Sequence, residues 1–176
     1  QVSLTGWLTQ VQSDGLLRWR PGVLNMNDGL LLWLEHLVYC ALGGTGSSRM
    51  FGRQQSRWCF LAVSQAEAIA ALNEYVMGYL AGMRQPLMLL NKSGGAWLTA
   101  SYDKKSQQLL ADEATQLKAR NRLLTAWSGN YQVEGEGSDP YLQRLCRVLD
   151  EPQLQQITEA AQRWYLPVLA AHQDDE

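Results

Sequence analysis

Leu4-Thr-Gly-Trp-Leu-Thr9 and Leu16-Leu-Arg-Trp-Arg20, with the apolar run from Asn27 to Ala41 behind them, are the stretches that decide the fold. Apolar and polar residues alternate across the first twenty positions, which is typical of half-buried strands. We therefore predict two antiparallel strands, Val2 to Val11 and Leu16 to Arg20, joined by a turn that contains Asp14-Gly15.

A helix is predicted directly after this hairpin. Pro21-Gly22 ends the second strand, and the apolar positions from Asn27 to Ala41 recur at helical spacing. Gly43-Gly44 is a helix stop signal. The side chains of Trp33 and Leu37 are expected to point into the core, where His36 would be a hydrogen-bonded packing residue.

A second hairpin is predicted from Arg49–Phe51 and Arg57–Ala62. Its basic residues, Arg49, Arg53 and Arg57, interleave with Phe51, Trp58 and Phe60. Arginine for phosphates and aromatic rings for bases suit contact with single-stranded DNA, and Arg49, Arg53, Arg57 and Trp58 are the candidate DNA-binding residues. An ordinary edge hairpin with its apolar side chains in the core is the alternative.

The rest of the chain is predicted to be mainly helical. Ser64-Gln-Ala-Glu67 is a capping box that opens a helix expected to run to Pro86. Further helices are predicted over Gly95–Ser101, Asp112–Trp127, Pro140–Leu149 and Pro152–Leu166, the last weakened or kinked by Pro167.

Four motifs, in this order, resemble the C-terminal part of the RecC family, the gamma subunits of the bacterial helicase-nuclease exodeoxyribonuclease V (RecBCD). They are Asp14-Gly-Leu-Leu-Arg-Trp-Arg-Pro-Gly22, Leu30-Leu-Leu-Trp-Leu-Glu-His-Leu-Val-Tyr-Cys-Ala-Leu-Gly-Gly44, Ser93-Gly-Gly-Ala-Trp-Leu98 and Gly135-Glu-Gly-Ser-Asp-Pro-Tyr141. The resemblance covers nearly the whole chain. It implies an α+β fold with a nuclease-like core of the PD-(D/E)XK (restriction-endonuclease-like) type, truncated at its N-terminus.

The resemblance also implies that the catalytic site has been lost. Thr9 falls where the first metal-binding Asp of an active nuclease is expected, Arg18 on the second acid, and Arg20 on the catalytic Lys. Gly29 and Trp33 fall where a Gln and a Tyr of the following helix would be. A divalent cation needs anionic oxygen ligands, which Thr9 and Arg18 do not supply.

By resemblance, the chain is a non-catalytic domain that supports complex assembly and DNA handling in recombinational repair of double-strand breaks. The implied partners are the beta (RecB) and alpha (RecD) subunits and DNA, without a membrane. No cofactor is expected in this chain, whereas the holoenzyme uses Mg and ATP. Two alternatives stay open: an active exonuclease with displaced acids such as Asp14 or Glu35, and a protein-interaction module without DNA contact.

Composition sets broader limits. The length of 176 residues favours a single domain, with an acidic tail at 172–176. Because the chain begins at Gln1 and has no secretory pattern, we expect a fragment of a larger subunit. Residues 1–60 hold five basic and three acidic residues, against ten and fourteen in the remainder, which favours the first third for DNA contact.

The three cysteines are Cys40, Cys59 and Cys146. They are odd in number and far apart, which suits reduced thiols in a cytoplasmic protein better than a disulfide framework.

Overall fold

The protein has a mixed α and β (α+β) fold, described for residues 2–173 in a computed structural model. It divides into two compact units, residues 1–81 with 171–176 and residues 82–170. The single domain favoured by the length stays a prediction. Of the predicted acidic tail, His172 and Gln173 are described, whereas Asp174, Asp175 and Glu176 lie outside the described residues.

The first unit contains a four-stranded sheet and two helices. The strands are β1 (Val11–Gln12), β2 (Gly15–Trp19), β3 (Ser47–Phe51) and β4 (Arg57–Phe60), and the helices are α1 (Met26–Ala41) and α2 (Gln65–Gly82). The strands follow one another in the order β1-β2-β3-β4 across the sheet.

The central pair of strands is parallel, whereas β1–β2 and β3–β4 are antiparallel hairpins. A parallel pair needs a crossover connection, and α1 provides it between β2 and β3. The pair begins at a close backbone approach, because a Cβ on Gly15 would lie 1.6 Å from the Ser47 carbonyl oxygen. Gly15 also has a φ of +138°, so its position suits only glycine.

The predicted first strand is wrong for most of its length. Only Val11 and Gln12 pair with β2, at Leu16 and Gly15, instead of the whole range Val2–Val11. Gln10 has a φ of +53°, which turns the chain out of the sheet. Residues 2–9 belong to no strand, and Val2 and Leu4 line a cleft with side chains of α2.

The predicted helix after the first hairpin is confirmed. Asn25 caps it, because its side chain accepts hydrogen bonds from the backbone N–H groups of Asn27 and Asp28. Asp28 returns the contact by accepting from the Asn25 N–H at 2.8 Å, which completes a capping box. Trp33 and Leu37 are buried as predicted.

The core of the first unit lies between α1 and one face of the sheet. Leu16, Ser48, Trp58 and Phe60 face the helix and are buried. The Trp33 ring lies 5.0 Å from that of Phe60, in a tilted arrangement that favours aromatic pairs.

His36 is a hydrogen-bonded packing residue, as predicted. It is fully buried, and its Nε2 lies 2.8 Å from the carbonyl oxygen of Leu61, to which it must donate. Nδ1 lies 2.7 Å from the Ser48 hydroxyl and accepts from it in this neutral tautomer. Burial lowers the pKa of His36 below its ordinary value, and the hydrogen bond with Leu61 partly offsets that shift.

We expect the free energy of unfolding to decrease as the pH is lowered from about 7.5 to about 5.5. The unfolded chain protonates its histidines near pH 6.5, whereas the depressed pKa of His36 keeps the folded state neutral to lower pH. The unfolded state therefore binds more protons, and the loss is bounded by about 1.4 kcal/mol per pH unit. Urea titrations at three pH values test this. His172→Gln should keep the dependence, and equal stability at all three values would contradict it.

The helix α2 opens with the predicted capping box. Ser64 N–H and its hydroxyl contact the Glu67 carboxylate at 2.9 and 2.6 Å, while Glu67 N–H donates to the Ser64 hydroxyl at 3.3 Å. The helix ends at Gly82, four residues before the predicted stop at Pro86. Glycine has the lowest helix propensity after proline, which explains the earlier end.

The second unit is mainly helical. Its elements are α3 (Asn91–Ser101), β5 (Tyr102–Asp103), β6 (Gln108–Leu109), α4 (Glu113–Ser128), a 3-10 turn (Glu136–Ser138), α5 (Pro140–Leu145), α6 (Glu151–Trp164) and α7 (Leu166–Ala171). Helices α3, α4 and α6 pack around Leu98, Leu123 and Ile157. Within residues 2–173, no helix combines the length and apolar character needed to cross a bilayer.

Two predicted helix ends in this unit need correction. The helix that begins at Pro140 stops at Leu145 rather than Leu149, because the chain leaves helical geometry at Cys146. The last predicted helix breaks at Tyr165, so Pro167 lies in the first turn of a new helix, where proline is tolerated. Asp139 caps α5, because its side chain accepts from the N–H groups of Tyr141 and Leu142.

Candidate functional site

Two of the three residues that the resemblance compares with nuclease catalytic residues, Arg18 and Arg20, lie in and just after β2, on the side of the sheet that faces α1. Arg18 is in β2, and Arg20 follows it by two residues, so both belong to the same face of the strand. Thr9 lies in the exposed, unpaired segment before β1. The structure therefore brings Arg18 and Arg20 to one side of the sheet but does not place Thr9 in the ladder beside Arg18.

Arg18 forms an ion pair with Glu35 of α1. Its Nε donates to Glu35 Oε2 at 2.9 Å, and its Nη2 lies 2.9 Å from the same oxygen. Nη1 contacts the side-chain oxygen of Gln10 at 3.3 Å. The Arg18 side chain is only 11% exposed, so its guanidinium is held between the sheet and α1.

Arg20 forms a second ion pair with Asp28, in the first turn of α1. Its Nη1 lies 2.5 Å from Asp28 Oδ1, while Asp28 Oδ2 accepts from the Asn25 N–H in the helix cap. Both oxygens of this buried carboxylate are thus engaged. These two acidic partners were not predicted from the sequence, although the spacing indicates them. Asp28 and Glu35 are seven residues apart and so lie on one face of the helix. Arg18 and Arg20 lie on one face of the strand, so the two faces can pair acid with base.

Gly29 allows the indole of Trp58 to occupy the space beside the start of α1. A Cβ on Gly29 would lie 2.5 Å from Trp58 Cε2, and the Trp58 indole N–H donates to the Asn25 carbonyl at 3.1 Å. A larger side chain at position 29, such as the Gln of an active nuclease, therefore cannot coexist with this indole. Trp33, at the other position compared, is a core residue.

Trp58, one of the predicted DNA-binding residues, is not accessible to DNA bases. It is 8% exposed, and its ring packs against Phe60 and His172, so no base can stack on it. The physical reason is the strand period: Trp58 and Phe60 share the face toward α1, whereas Arg57 points to the other face. Arg49, Arg53 and Arg57 are exposed, on β3, in the turn and on β4, and their DNA contact stays a prediction.

The side chains around these two ion pairs do not fit a divalent metal ion. Among residues 2–173, no group of three or more His, Cys, Asp or Glu side chains could hold one. The guanidinium groups of Arg18 and Arg20 add positive charge, which opposes cation binding. Of the displaced acids considered above, Glu35 is paired with Arg18, and Asp14 is exposed in the turn between β1 and β2.

The three cysteines are buried thiols that form no disulfide. Burial raises the pKa of the Cys40 thiol, with a backbone hydrogen bond from Val63 acting against it. Burial and the charge of Asp150 both raise the pKa of Cys146. These two thiols are therefore held in their protonated, weakly nucleophilic form.

Comparison with known proteins agrees with the resemblance found in the motifs. The family model of the RecC C-terminal domain matches residues 1–102. The RecBCD enzyme subunit RecC of Escherichia coli (strain K12) is 47% identical over 172 residues, which is 98% of this chain and 15% of that protein.

A second relative is RecBCD enzyme subunit RecC of Buchnera aphidicola subsp. Acyrthosiphon pisum, 38% identical over 96% of this chain and 16% of that protein. That of Buchnera aphidicola subsp. Schizaphis graminum is also 38% identical, over the same shares. The chain thus spans about 15% of the length of the relatives it matches.

Proposed function

Because the chain belongs to the RecC family, we propose that it is a non-catalytic, nuclease-like domain that supports assembly and DNA handling in recombinational DNA repair. The observation that carries the proposal is the pair of ion pairs from β2 to α1, Arg18 with Glu35 and Arg20 with Asp28. They replace the acids and lysine of a metal-dependent nuclease with structural contacts.

The nuclease-like, PD-(D/E)XK origin of the first unit is part of the proposal. A hairpin followed by a helix that crosses to a further strand supports it, since this is the layout of a nuclease core. In that layout the acids stand near strand ends and the lysine two residues beyond the second acid. Arg18 and Arg20 keep this spacing without the chemistry.

The domain should not cleave DNA. Arg18 and Arg20 cannot bind a cation, and the carboxylates near them are already paired with them. The test is incubation of the chain with linear single- and double-stranded DNA plus magnesium or manganese, beside a catalytically intact nuclease domain. Magnesium-dependent degradation would support the competing enzyme, whose acids would be Asp14 or Glu35. Loss of that activity in Glu35→Gln, but not in Asp14→Asn, would then identify the acid.

The assembly role concerns the alpha and beta subunits, RecD and RecB, of the complex. A domain that keeps a packed fold without catalysis can be retained for its surface, and its relatives are named as a subunit of the RecBCD enzyme, which supports a role in assembly. The holoenzyme's use of ATP and Mg belongs to those partners under this proposal. Nothing in the ion-paired site requires either.

Deleting the region that corresponds to this chain from the full-length subunit should release the alpha subunit from the complex. Co-purification of tagged complexes measures this, with retention of the beta subunit as the control that the shortened protein still folds. Recovery of all three subunits together would rule out the assembly role. Loss of both partners would instead indicate a folding defect.

A further inference from the structure

The sheet of the first unit has a second face, opposite α1, which we name the outer sheet face. It comprises the side chains of Gln12, Leu17, Trp19, Arg49, Phe51 and Arg57. The alternation of strand residues explains it, because Leu16, Ser48 and Trp58, each next to one of these residues, face α1 and are buried. Cys59, which pairs with Arg49, also belongs to the outer sheet face but is 1% exposed, so this face is covered at that position. Trp19 is 71% exposed and Phe51 44% exposed, so the aromatic surface is open to solvent.

Two aromatic rings and a guanidinium group form one row across this face. Trp19 pairs with Phe51 in the parallel register, and Phe51 pairs with Arg57 in the antiparallel register. Neighbouring strands lie about 4.8 Å apart, so the row presents three flat groups at regular intervals. Leu17 and Arg49 form the adjacent row, which ends at the buried Cys59.

Within the four strands, the charged residues of this face are arginines. The four strands contain no Asp or Glu, whereas Arg49 and Arg57 both point to the outer sheet face and Arg53 lies in the turn that joins their strands. In residues 61–176, by contrast, acidic residues outnumber basic ones. The face is therefore complementary to a polyanion that also offers flat apolar groups.

We propose that the outer sheet face binds single-stranded DNA, with bases stacked on Trp19 and Phe51 and phosphates held by Arg49, Arg53 and Arg57. This inference rests on the proposed function in DNA handling. Stacking needs unpaired bases, because a flat sheet of aromatic side chains cannot reach the rings inside a duplex. Arginines beside an aromatic row match the alternation of phosphates and bases along a single strand.

Photo-crosslinking tests the stacking directly. The full-length subunit in its complex is irradiated with a single-stranded oligonucleotide that carries 5-iododeoxyuridine, and the adducts are mapped by mass spectrometry. We expect adducts on Trp19 or Phe51. Trp7 is the matched control, because it is 95% exposed but lies before the sheet. Adducts on Trp7 and none on Trp19 or Phe51 would overturn the proposal.

Affinity measurements on the full-length subunit in its complex give a second readout. Trp19→Ala with Phe51→Ala should weaken binding of a labelled oligothymidine by roughly 5- to 150-fold for each base that is no longer stacked. Trp7→Ala should leave it unchanged. Replacing Arg49, Arg53 and Arg57 with Gln should flatten the dependence of log affinity on log salt by about 0.7 for each phosphate group that is no longer neutralised. Arg122→Gln, an exposed arginine of α4, is the control.

The outcomes separate this inference from the proposed function. Unchanged affinity and slope in both sets of variants, or equal binding of duplex DNA, would overturn the single-strand site even if the domain lacks nuclease activity. Loss of a partner subunit in the Trp19/Phe51 variant would make the outer sheet face a protein interface instead. Cleavage of DNA by the domain would defeat the proposed function whatever the crosslinks show.

Discussion

Trp33→Ala should lower the free energy of unfolding by about 3 to 5 kcal/mol, the range for truncating a buried large aromatic residue. The Trp33 side chain is 6% exposed and lies between the Phe60 ring, at 5.0 Å, and the His36 ring, at 5.7 Å. It also reaches α2, where its indole N–H approaches the hydroxyl of Tyr75 outside good hydrogen-bond geometry. Urea denaturation followed by circular dichroism measures the loss.

Leu31→Ala is the matched control for this experiment. Leu31 belongs to the same helix but is 53% exposed, and leucine and alanine have similar helix propensities. Its replacement should change the stability by no more than about 0.5 kcal/mol. If Trp33→Ala cost as little as Leu31→Ala, Trp33 would not be part of the core, and the packing of α1 on the sheet described above would be wrong.

Gly29→Ala should destabilise the protein by about 1 to 3 kcal/mol, although alanine is the better helix former. The added methyl group would lie 2.5 and 2.7 Å from Trp58 Cε2 and Cζ2, closer than real contacts allow. The indole cannot yield easily, because its N–H is bonded to Asn25 and its ring lies 4.9 Å from that of His172. Thermal unfolding measures the loss.

Gly94→Ala provides the comparison for that result. Gly94 is also a helical, buried glycine, but a Cβ there would meet its nearest atom, Cβ of Ala161, at an ordinary 3.4 Å. Its replacement should be neutral or stabilise the protein by up to about 1 kcal/mol. Equal losses in the two variants would mean that the tight fit of Trp58 against Gly29 is not the cause.

The parts of the fold that local sequence determines were predictable. The helix at Met26–Ala41 and the capping box at Ser64 depend on residues within a few positions of each other, and both were found in the sequence. The parallel pairing of β2 with β3 was not, because it joins residues about thirty positions apart through a helix. Gln10 carries no strong signal for its positive φ, so the short length of β1 could not be foreseen.

The candidate site was predictable in its positions but not in its contacts. The motif spacing located Arg18 and Arg20 on one face of the strand. Their partners on α1 can be identified only when it is known which face of the helix packs against the strand. Trp58 was misjudged for a similar reason. In an alternating hairpin, either face can be the buried one, and only the packing of α1 decides between them. Trp19 and Phe51, which are exposed, are therefore the aromatic residues proposed to stack on bases, instead of the buried Trp58.

The far end of the chain completes the first sheet. His172 forms an antiparallel bridge with Phe60, and Gln173 N–H donates to the Cys59 carbonyl at 3.0 Å, across more than one hundred residues of sequence. During synthesis, the hydrogen-bonding edge of β4 that pairs with residues 172 and 173 therefore stays unpaired until the whole second unit has been synthesised. An uncovered edge strand is a site for mispairing with other chains, and such late, non-local closure slows folding. The order of translation thus makes the nascent first unit vulnerable to aggregation for as long as residues 172 and 173 are missing.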